Sequence, residues 1–198
     1  SPPAGAADGG VNGGVNGGVK PLDGVKIESI ETYLNPSKNH LDVGLGIWPT
    51  NPYWNGFSLE GSYLRYFSKT FAWDVVDAAY VYTVDSGLTS ELASTFNREP
   101  TQIERINLVL SSNLIFTHAY GKFVFLRESL RYFRSSLYFG PSYINTNLRG
   151  TFGFGVGWRF DVYISEGSSI VFALRDLYAL NVRNGNNINL FMGSSFGF

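Results

Sequence analysis

The sequence predicts an all-β fold, an eight-stranded antiparallel up-and-down transmembrane β-barrel with a glycine-rich N-terminal extension. Segments in which apolar and polar residues alternate recur from residue 40 to the end of the chain, as in strands with two different faces. Their connections differ in length from one side of the expected barrel to the other. No segment has the roughly eighteen consecutive apolar residues of a membrane-spanning helix.

The composition narrows the possible functions. The 198 residues carry a net charge of -1, which makes a nucleic-acid partner unexpected. Charged residues make up only 16% of the chain, below the usual fraction of about 25%, and aromatic residues also make up 16%. The absence of cysteine excludes a disulfide scaffold and a thiolate metal site.

The N-terminal region differs from the rest of the chain. We divide the sequence into a glycine-rich periplasmic tail (1–24), a lead-in segment (25–38) and the barrel (39–198). The tail contains a tandem VNGG repeat, which has the composition of a flexible linker. Glycine-rich backbone can also pack closely against another chain, so we predict that the tail docks onto a periplasmic protein. The residues predicted to bind this partner are Val11, Asn12, Val15, Asn16 and Val19.

The first four predicted strands differ in how regular they are. "HLDVGLGIW" alternates throughout, whereas "GFSLEGSYLRYF" alternates from Phe57 to Tyr63 and "RINLVLSSNLIF" over most of its length. "TFAWDVVDAAYVYTV" has the aromatic and β-branched residues of a strand, but its alternation is interrupted. A β-bulge near Asp74–Asp77 would explain the interruption.

The last four predicted strands begin with "RSSLYFGPSYIN". The sixth, "GTFGFGVGWRFDVYIS", has bulky apolar residues on one face and glycine, arginine and aspartate on the other. This division fits a small membrane barrel, which has lipid outside and a crowded polar interior. "SSIVFALRDLYALNV" and "NINLFMGSSFGF" complete the eight. The residues predicted to face lipid are Phe152, Phe154, Val156, Trp158, Phe160, Phe172 and Leu174.

The opposite faces of the same strands predict a charged interior. Asp42, Glu60, Arg159, Asp161 and Arg175 share the phase that points away from lipid. Unpaired charges inside a barrel are costly, so we expect both arginines to pair with these acids. An eight-stranded barrel has room only for side chains, which favours a structural plug over an ion path.

The connections predict the orientation of the barrel. "SKT" and "SEG" are short and fall on one side, whereas "PTNPYWNG", "DSGLTSELASTFNREPTQIE", "NTNLRG" and "RNGNN" fall on the other. Bacterial barrels place short turns in the periplasm, so we expect both termini there. We also expect a long fourth connection at 118–131 and a short helix within 87–97.

Three further patterns bear on membrane insertion and on an alternative fold. Leu190, Met192, Phe196 and Phe198 alternate up to a terminal aromatic residue, which resembles the signal read by the bacterial barrel-assembly machinery. Interfacial aromatic girdles are expected to include Trp48, Trp54, Trp73, Trp158 and Tyr178. The short "GIW" sequence leaves a soluble lipocalin-like barrel, with its apolar face inward, as the alternative fold.

A family resemblance rests on "AYGKF" (119–123), "GFGVGWRF" (153–160), "ALRDLYAL" (173–180) and the closing "NNINLFMGSSFGF". These segments resemble the outer-membrane β-barrel family of myxobacteria and Bdellovibrio-type bacteria. The resemblance covers 105–198 and is weaker over 40–104. It implies an eight-stranded barrel in a Gram-negative outer membrane and says little about function.

The sequence offers few groups for catalysis. His40 and His118 are the only histidines, and neither forms a recognisable triad by spacing. Two histidines without cysteine make a poor metal site, and the glycine pairs lie inside strands rather than before helices. We therefore expect no metal, no cofactor and no enzymatic activity.

The predicted function is that of an anchor or accessory subunit of an envelope protein complex. The expected partners are outer-membrane lipid, the barrel-assembly machinery during biogenesis, and a periplasmic or outer-membrane protein. A surface-binding or adhesion barrel acting through its outer loops is the alternative. A lipid-modifying enzyme using His118 and a soluble ligand carrier are further alternatives.

Overall fold

The fold was analysed in a computed structural model. The structure describes residues 37–49, 53–88, 91, 94, 104–125, 129–165, 167–180 and 185–198. The predictions made for the tail and for most of the lead-in segment therefore lie outside the described residues.

Eight antiparallel strands make up the barrel. Each joins its neighbours in sequence, and the last pairs with the first through His40 opposite Gly197. The barrel is therefore closed, which confirms the predicted eight-stranded up-and-down fold. The strands are β1 (Asn39–Trp48), β2 (Trp54–Tyr66), β3 (Phe71–Asp85), β4 (Ile106–Phe125), β5 (Ser129–Thr146), β6 (Gly150–Ser165), β7 (Ser168–Ala179) and β8 (Asn186–Gly197).

The two ends of the barrel are named here for what they carry. The terminal end contains the start of β1, the end of β8 and the connections β2–β3, β4–β5 and β6–β7. The loop end contains the connections β1–β2, β3–β4, β5–β6 and β7–β8. This arrangement follows from eight strands that run alternately up and down.

Burial alternates along the strands in the phase expected from the sequence. In β6, Gly153, Gly155, Arg159 and Asp161 are buried, whereas Phe152 and Phe154 are exposed. Glycine is required where an inward position is already occupied. A Cβ atom on Gly157 would collide with the Tyr138 ring. The inner glycines thus make room for large neighbours in a narrow lumen.

The irregular third strand contains the expected bulge. Its register with β4 shifts between Asp74 and Asp77, which confirms the bulge predicted from the broken alternation. The extra residue lets both aspartates be buried although they are three positions apart, an odd spacing that would place them on opposite faces of a regular strand.

The β4–β5 connection is much shorter than expected from the sequence. The loop expected at 118–131 does not form, because β4 continues to Phe125 and β5 begins at Ser129. Cross-strand contacts hold this extension, with the rings of Phe123 and Phe133 6.1 Å apart. The aromatic residues that suggested a long connection are instead the cross-strand pairs of a hairpin. The hairpin runs beyond the paired part of β3, which begins opposite Phe116.

The loop end also differs in detail. The connection "NTNLRG" is a tight turn of residues 147–149, because the strands extend into it and Thr146 donates its backbone N–H to the Arg149 carbonyl at 2.9 Å. Within the predicted helix of 87–97, the described residues Leu88, Glu91 and Ser94 are helical. Among the residues described, no helix is long and apolar enough to cross a membrane.

Candidate functional site: the lumen and the outer wall

Arg159 organises the first ion-pair cluster of the lumen. It bonds to Asp161 on its own strand, with Nη2 2.6 Å from Oδ1, and to Asp42 on β1. Strand β6 has β5 and β7 as neighbours, whereas β1 has β2 and β8. The contact with Asp42 therefore crosses the interior of the barrel. All three side chains are buried.

Arg134 extends this cluster toward the terminal end. Its Nε lies 3.4 Å from Asp161 Oδ2, and its guanidinium group donates to the Tyr66 hydroxyl. The same group lies 4.4 Å from the centre of the Tyr66 ring and 5.5 Å from that of Tyr163. Cation–π contacts thus supplement the ion pair. His40 completes this region through a 3.0 Å hydrogen bond with Ser195.

Arg175 organises a second cluster nearer the loop end. It pairs with Glu60 at 3.0 Å and with Asp77, which reach it from β2 and β3. Asn189 donates to Glu60 Oε1 at 2.9 Å, and the Ser58 hydroxyl donates to the same oxygen. Burial of these charges is tolerated because they have opposite charges and several hydrogen bonds as partners.

The structure places all five predicted interior charges in these two clusters, namely Asp42, Glu60, Arg159, Asp161 and Arg175. Arg134, Asp74 and Asp77 are also buried in the lumen and were not among the predicted interior charges. Arg134 had a detectable signal, because it shares its phase with Ser136 and Tyr138 in β5. The two aspartates had none, because the bulge between them breaks the alternation.

An apolar layer closes the loop end of the lumen. Trp48 and Trp54 are each 1% exposed and pack with Val81, Ile106 and Leu177. Their indole groups are satisfied internally, since Trp48 Nε1 donates to Ser58 Oγ and Trp54 Nε1 donates to the Glu104 carbonyl, both at 3.0 Å. The expectation that these two tryptophans belong to an interfacial girdle is therefore wrong.

A small cavity remains between the two charge clusters. It measures about 40 Å³ and is lined by groups that include Asp42, Asp74 and Arg175. A space of this size holds roughly three water molecules. Side chains thus fill most of the lumen, as expected of eight strands.

The outer wall is apolar along every strand. All the residues predicted to face lipid lie on it: Phe152, Phe154, Val156, Trp158, Phe172 and Leu174 are exposed, and Phe160 stacks on Trp158 with ring centres 5.7 Å apart. The predicted girdle residues Trp73 and Tyr178 also face outward. This outward apolar face is the opposite of the one expected for the lipocalin-like alternative.

A polar cluster lies on this wall at His118. His118 Nε2 lies 3.1 Å from Ser135 Oγ, and the same hydroxyl accepts the indole N–H of Trp158 at 2.7 Å. A serine–histidine pair can begin a nucleophilic site. Here the Ser135 hydroxyl also accepts the Trp158 indole N–H. Among the described residues, no carboxylate forms a hydrogen bond with His118 that would orient its ring.

The four residues of the predicted assembly signal lie on the outer face of β8. Met192 and Phe198 are the most exposed, and Leu190 and Phe196 are also exposed. The backbone N–H of Phe198 donates to the Asn39 carbonyl of β1 at 3.0 Å.

Two further predictions concern a partner and a metal. The predicted partner-binding residues lie outside the described residues, namely Val11, Asn12, Val15, Asn16 and Val19. Within the described part of the chain, no group of three or more His, Cys, Asp or Glu residues is placed to hold a metal ion.

Solved structures provide similar shapes at low sequence identity. Neisserial surface protein A is 12% identical, with a TM-score of 0.47, over 82% of this chain and 98% of its own. The N-terminal β-barrel domain of OprF from Pseudomonas aeruginosa is 10% identical, with a TM-score of 0.44, over 82% and 99%. OprG from the same organism is 8% identical, with a TM-score of 0.45, over 83% and 97%. No protein-family model and no curated protein sequence matches the chain.

Proposed function

We propose that this protein is an integral outer-membrane barrel that neither conducts solutes nor catalyses a reaction, and that it anchors an envelope complex or serves as its accessory subunit. The observation that carries the proposal is an apolar outer wall around a filled lumen. Exposed side chains such as Leu45, Phe152 and Met192 cover the wall, while charges and tryptophans fill the interior. A closed barrel of this kind satisfies its backbone hydrogen bonds in lipid.

The membrane and orientation follow from the same features. Barrels with an apolar band and short turns at one end belong to outer membranes, with those turns in the periplasm. We assign the terminal end to the periplasm and the loop end to the cell surface. The family resemblance to barrels of myxobacteria and Bdellovibrio-type bacteria remains a prediction that agrees with this location.

The anchoring role is supported by the small free volume of the lumen and by the glycine-rich segment that precedes β1. A lumen with about 40 Å³ of free space between its charge clusters offers no ligand chamber there. The glycine-rich tail precedes β1 and would lie on the periplasmic side, where it can meet a soluble partner. Insertion would depend on the barrel-assembly machinery reading β8.

Fractionation of Gram-negative cells that produce the protein tests the membrane assignment. We expect the protein in the outer-membrane fraction, resistant to alkaline carbonate, and compact on an electrophoresis gel until heated. A matched pair of variants supports the test. Phe154→Asp places a charge on the lipid face and should reduce the inserted fraction, whereas Asn147→Asp in the exposed β5–β6 turn should not. Full solubility without detergent would overturn the assignment.

Co-purification tests the partner. The full chain and a variant lacking residues 1–24 are extracted in mild detergent, and mass spectrometry identifies the proteins retained. We expect a periplasmic protein with the full chain and its loss from the deletion variant, while both barrels migrate alike. Identical retained proteins would show that the tail is a linker and would overturn its docking role.

Surface binding through the loop end is a second candidate, favoured by the β3–β4 connection. This connection covers residues 86–105, longer than the about 12–15 residues beyond which loops are usually functional or disordered. Ion pairs hold its base, with Arg105 3.3 Å from Asp85 and Arg149 3.3 Å from Glu104. Shortening 88–102 should abolish adhesion to host or prey cells and leave the anchored complex intact. Unchanged adhesion would exclude this role.

A further inference from the structure

A diagonal apolar groove crosses five strands of the outer wall, from β6 through β7, β8 and β1 to β2. Its volume is about 520 Å³. One wall is a row of residues that lie side by side on neighbouring strands, each one the cross-strand partner of the next. This row consists of Phe57, Ile47, Leu190, Leu174 and Trp158.

The opposite wall is the next outward row. It consists of Leu45, Met192 and Phe172, which are paired with one another in the same way. Between the two rows lie residues of the inward phase, Gly46, Ser58, Phe191 and Ala173. Because their side chains point into the lumen, they present mainly backbone to the groove. The groove therefore has apolar side chains along both sides, and its floor is formed mainly by backbone.

The dimensions of the groove fit one extended hydrocarbon chain. Five neighbouring strands span about 19 Å at a spacing of about 4.8 Å, and rows two residues apart are separated by about 7 Å. Since strands in such barrels tilt by about 40°, the groove crosses roughly 12 Å of membrane depth. One leaflet contributes about 15 Å of the hydrocarbon core.

The same dimensions disfavour a protein partner. A helix with its side chains is about 10–12 Å across, wider than the gap between the rows. The footprint of the groove is on the order of 130 Å², far below the about 800 Å² per partner of a standard interface. The groove is thus too narrow for a helix and too small for a stable contact with a second copy.

We infer that this groove is a binding site for one acyl chain of a membrane lipid, held across strands β6 to β2. The inference rests on the proposed membrane location and adds a defined lipid site to it. Trp158 closes the β6 end of the groove and provides a reporter, because bromine atoms on a lipid chain quench the fluorescence of nearby indoles. Trp48 and Trp54 are inside the barrel, and Trp73 lies on the outer wall away from the groove.

The experiment compares two full-length variants. Trp73→Phe leaves Trp158 as the outward-facing tryptophan, and Trp158→Phe leaves Trp73. Both are reconstituted in phosphatidylcholine brominated at mid-chain and then diluted into excess detergent. We expect both to be quenched in the bilayer, and we expect Trp158 to remain quenched after Trp73 has recovered. Simultaneous recovery would overturn the acyl-chain site.

A wall substitution gives a matched control. In the Trp73→Phe background, Leu45→Ala removes part of the groove wall and should cause loss of the retained quenching. Leu41→Ala makes the same change on the same strand outside the groove and should leave it unchanged. Retained quenching in Leu45→Ala would also overturn the site. If neither tryptophan is quenched in the bilayer, the membrane location itself fails.

Discussion

Single side chains in the lumen are constrained by burial in a narrow, enclosed space. Arg159 is bonded to two carboxylates on different strands, Asp42 and Asp161, and all three side chains are buried. A buried ion pair need not stabilise more than apolar residues would, but leaving one charge unpaired is strongly destabilising. An arginine in an ion pair at the solvent-exposed surface contributes far less to the free energy of unfolding.

Replacing Arg159 with leucine should lower the free energy of unfolding by about 3–5 kcal/mol, because Asp42 then loses its arginine partner. Equilibrium urea unfolding in lipid or detergent measures the change. Arg149→Leu is the control, since its 3.3 Å pair with Glu104 is half exposed. That variant should lose no more than about 1 kcal/mol. Equal losses would contradict burial as the cause.

Gly140 is a second position where a small change should alter stability, because there is no space for a Cβ atom. A Cβ atom there would collide with the Ser112 carbonyl oxygen and with Cα of Asn113, which are backbone atoms of β4. Gly140→Ala should therefore cost about 1–3 kcal/mol of unfolding free energy. At Gly61 the nearest atom to an added Cβ is 3.6 Å away, so Gly61→Ala should be tolerated. Thermal unfolding of both variants distinguishes them.

Individual strands show how far alternation identifies an element. The β4–β5 hairpin lies at the terminal end, where aromatic pairs extend both strands beyond β3. Strand β8 closes the barrel against β1 through eight paired positions from His40–Gly197 to Ile47–Leu190. Closing the barrel leaves no strand edge in the sheet, and this closure requires β8 to pair with β1.

Phe198→Ala should reduce the assembled fraction in cells and leave the stability of refolded protein nearly unchanged. The reason is that its side chain is 69% exposed and adds little internal packing, while the assembly machinery is proposed to read it. Phe152→Ala is the control, because Phe152 is equally exposed at 70% but lies away from β8. Heat-modifiable migration of membrane fractions measures assembly. Similar losses from both changes would contradict a special role of Phe198 in assembly.

The whole molecule combines an apolar exterior with a lumen filled in two ways. Ion-pair clusters occupy the middle and the terminal side, and the tryptophan-containing layer closes the loop end. Either obstruction alone would impede ion flow. The paired charged side chains occupy the path through the lumen, and the apolar layer excludes water from it. A filled interior of this kind is consistent with the anchoring role proposed above and leaves little space for transport.

Planar bilayers containing the purified protein should show no discrete channel openings in either polarity. A porin inserted under the same conditions confirms that openings are detectable. Arg175→Ala with Trp48→Ala removes side chains from both obstructions and is the variant in which conductance would first appear. Regular openings by the unaltered protein would contradict the plug.

The sequence by itself determined the number of strands, their up-and-down order and which face of β6 and β7 meets lipid. Those features depend on the period of two between side chains, which any regular strand displays locally. Only the tertiary structure decided that Asp77 joins a charge cluster, that Arg134 donates to Tyr66 on β2, and that β4 and β5 continue through 118–125 and 129–131. These depend on bulges that shift the phase and on contacts across the lumen between strands distant in sequence, neither of which leaves a local periodic signal.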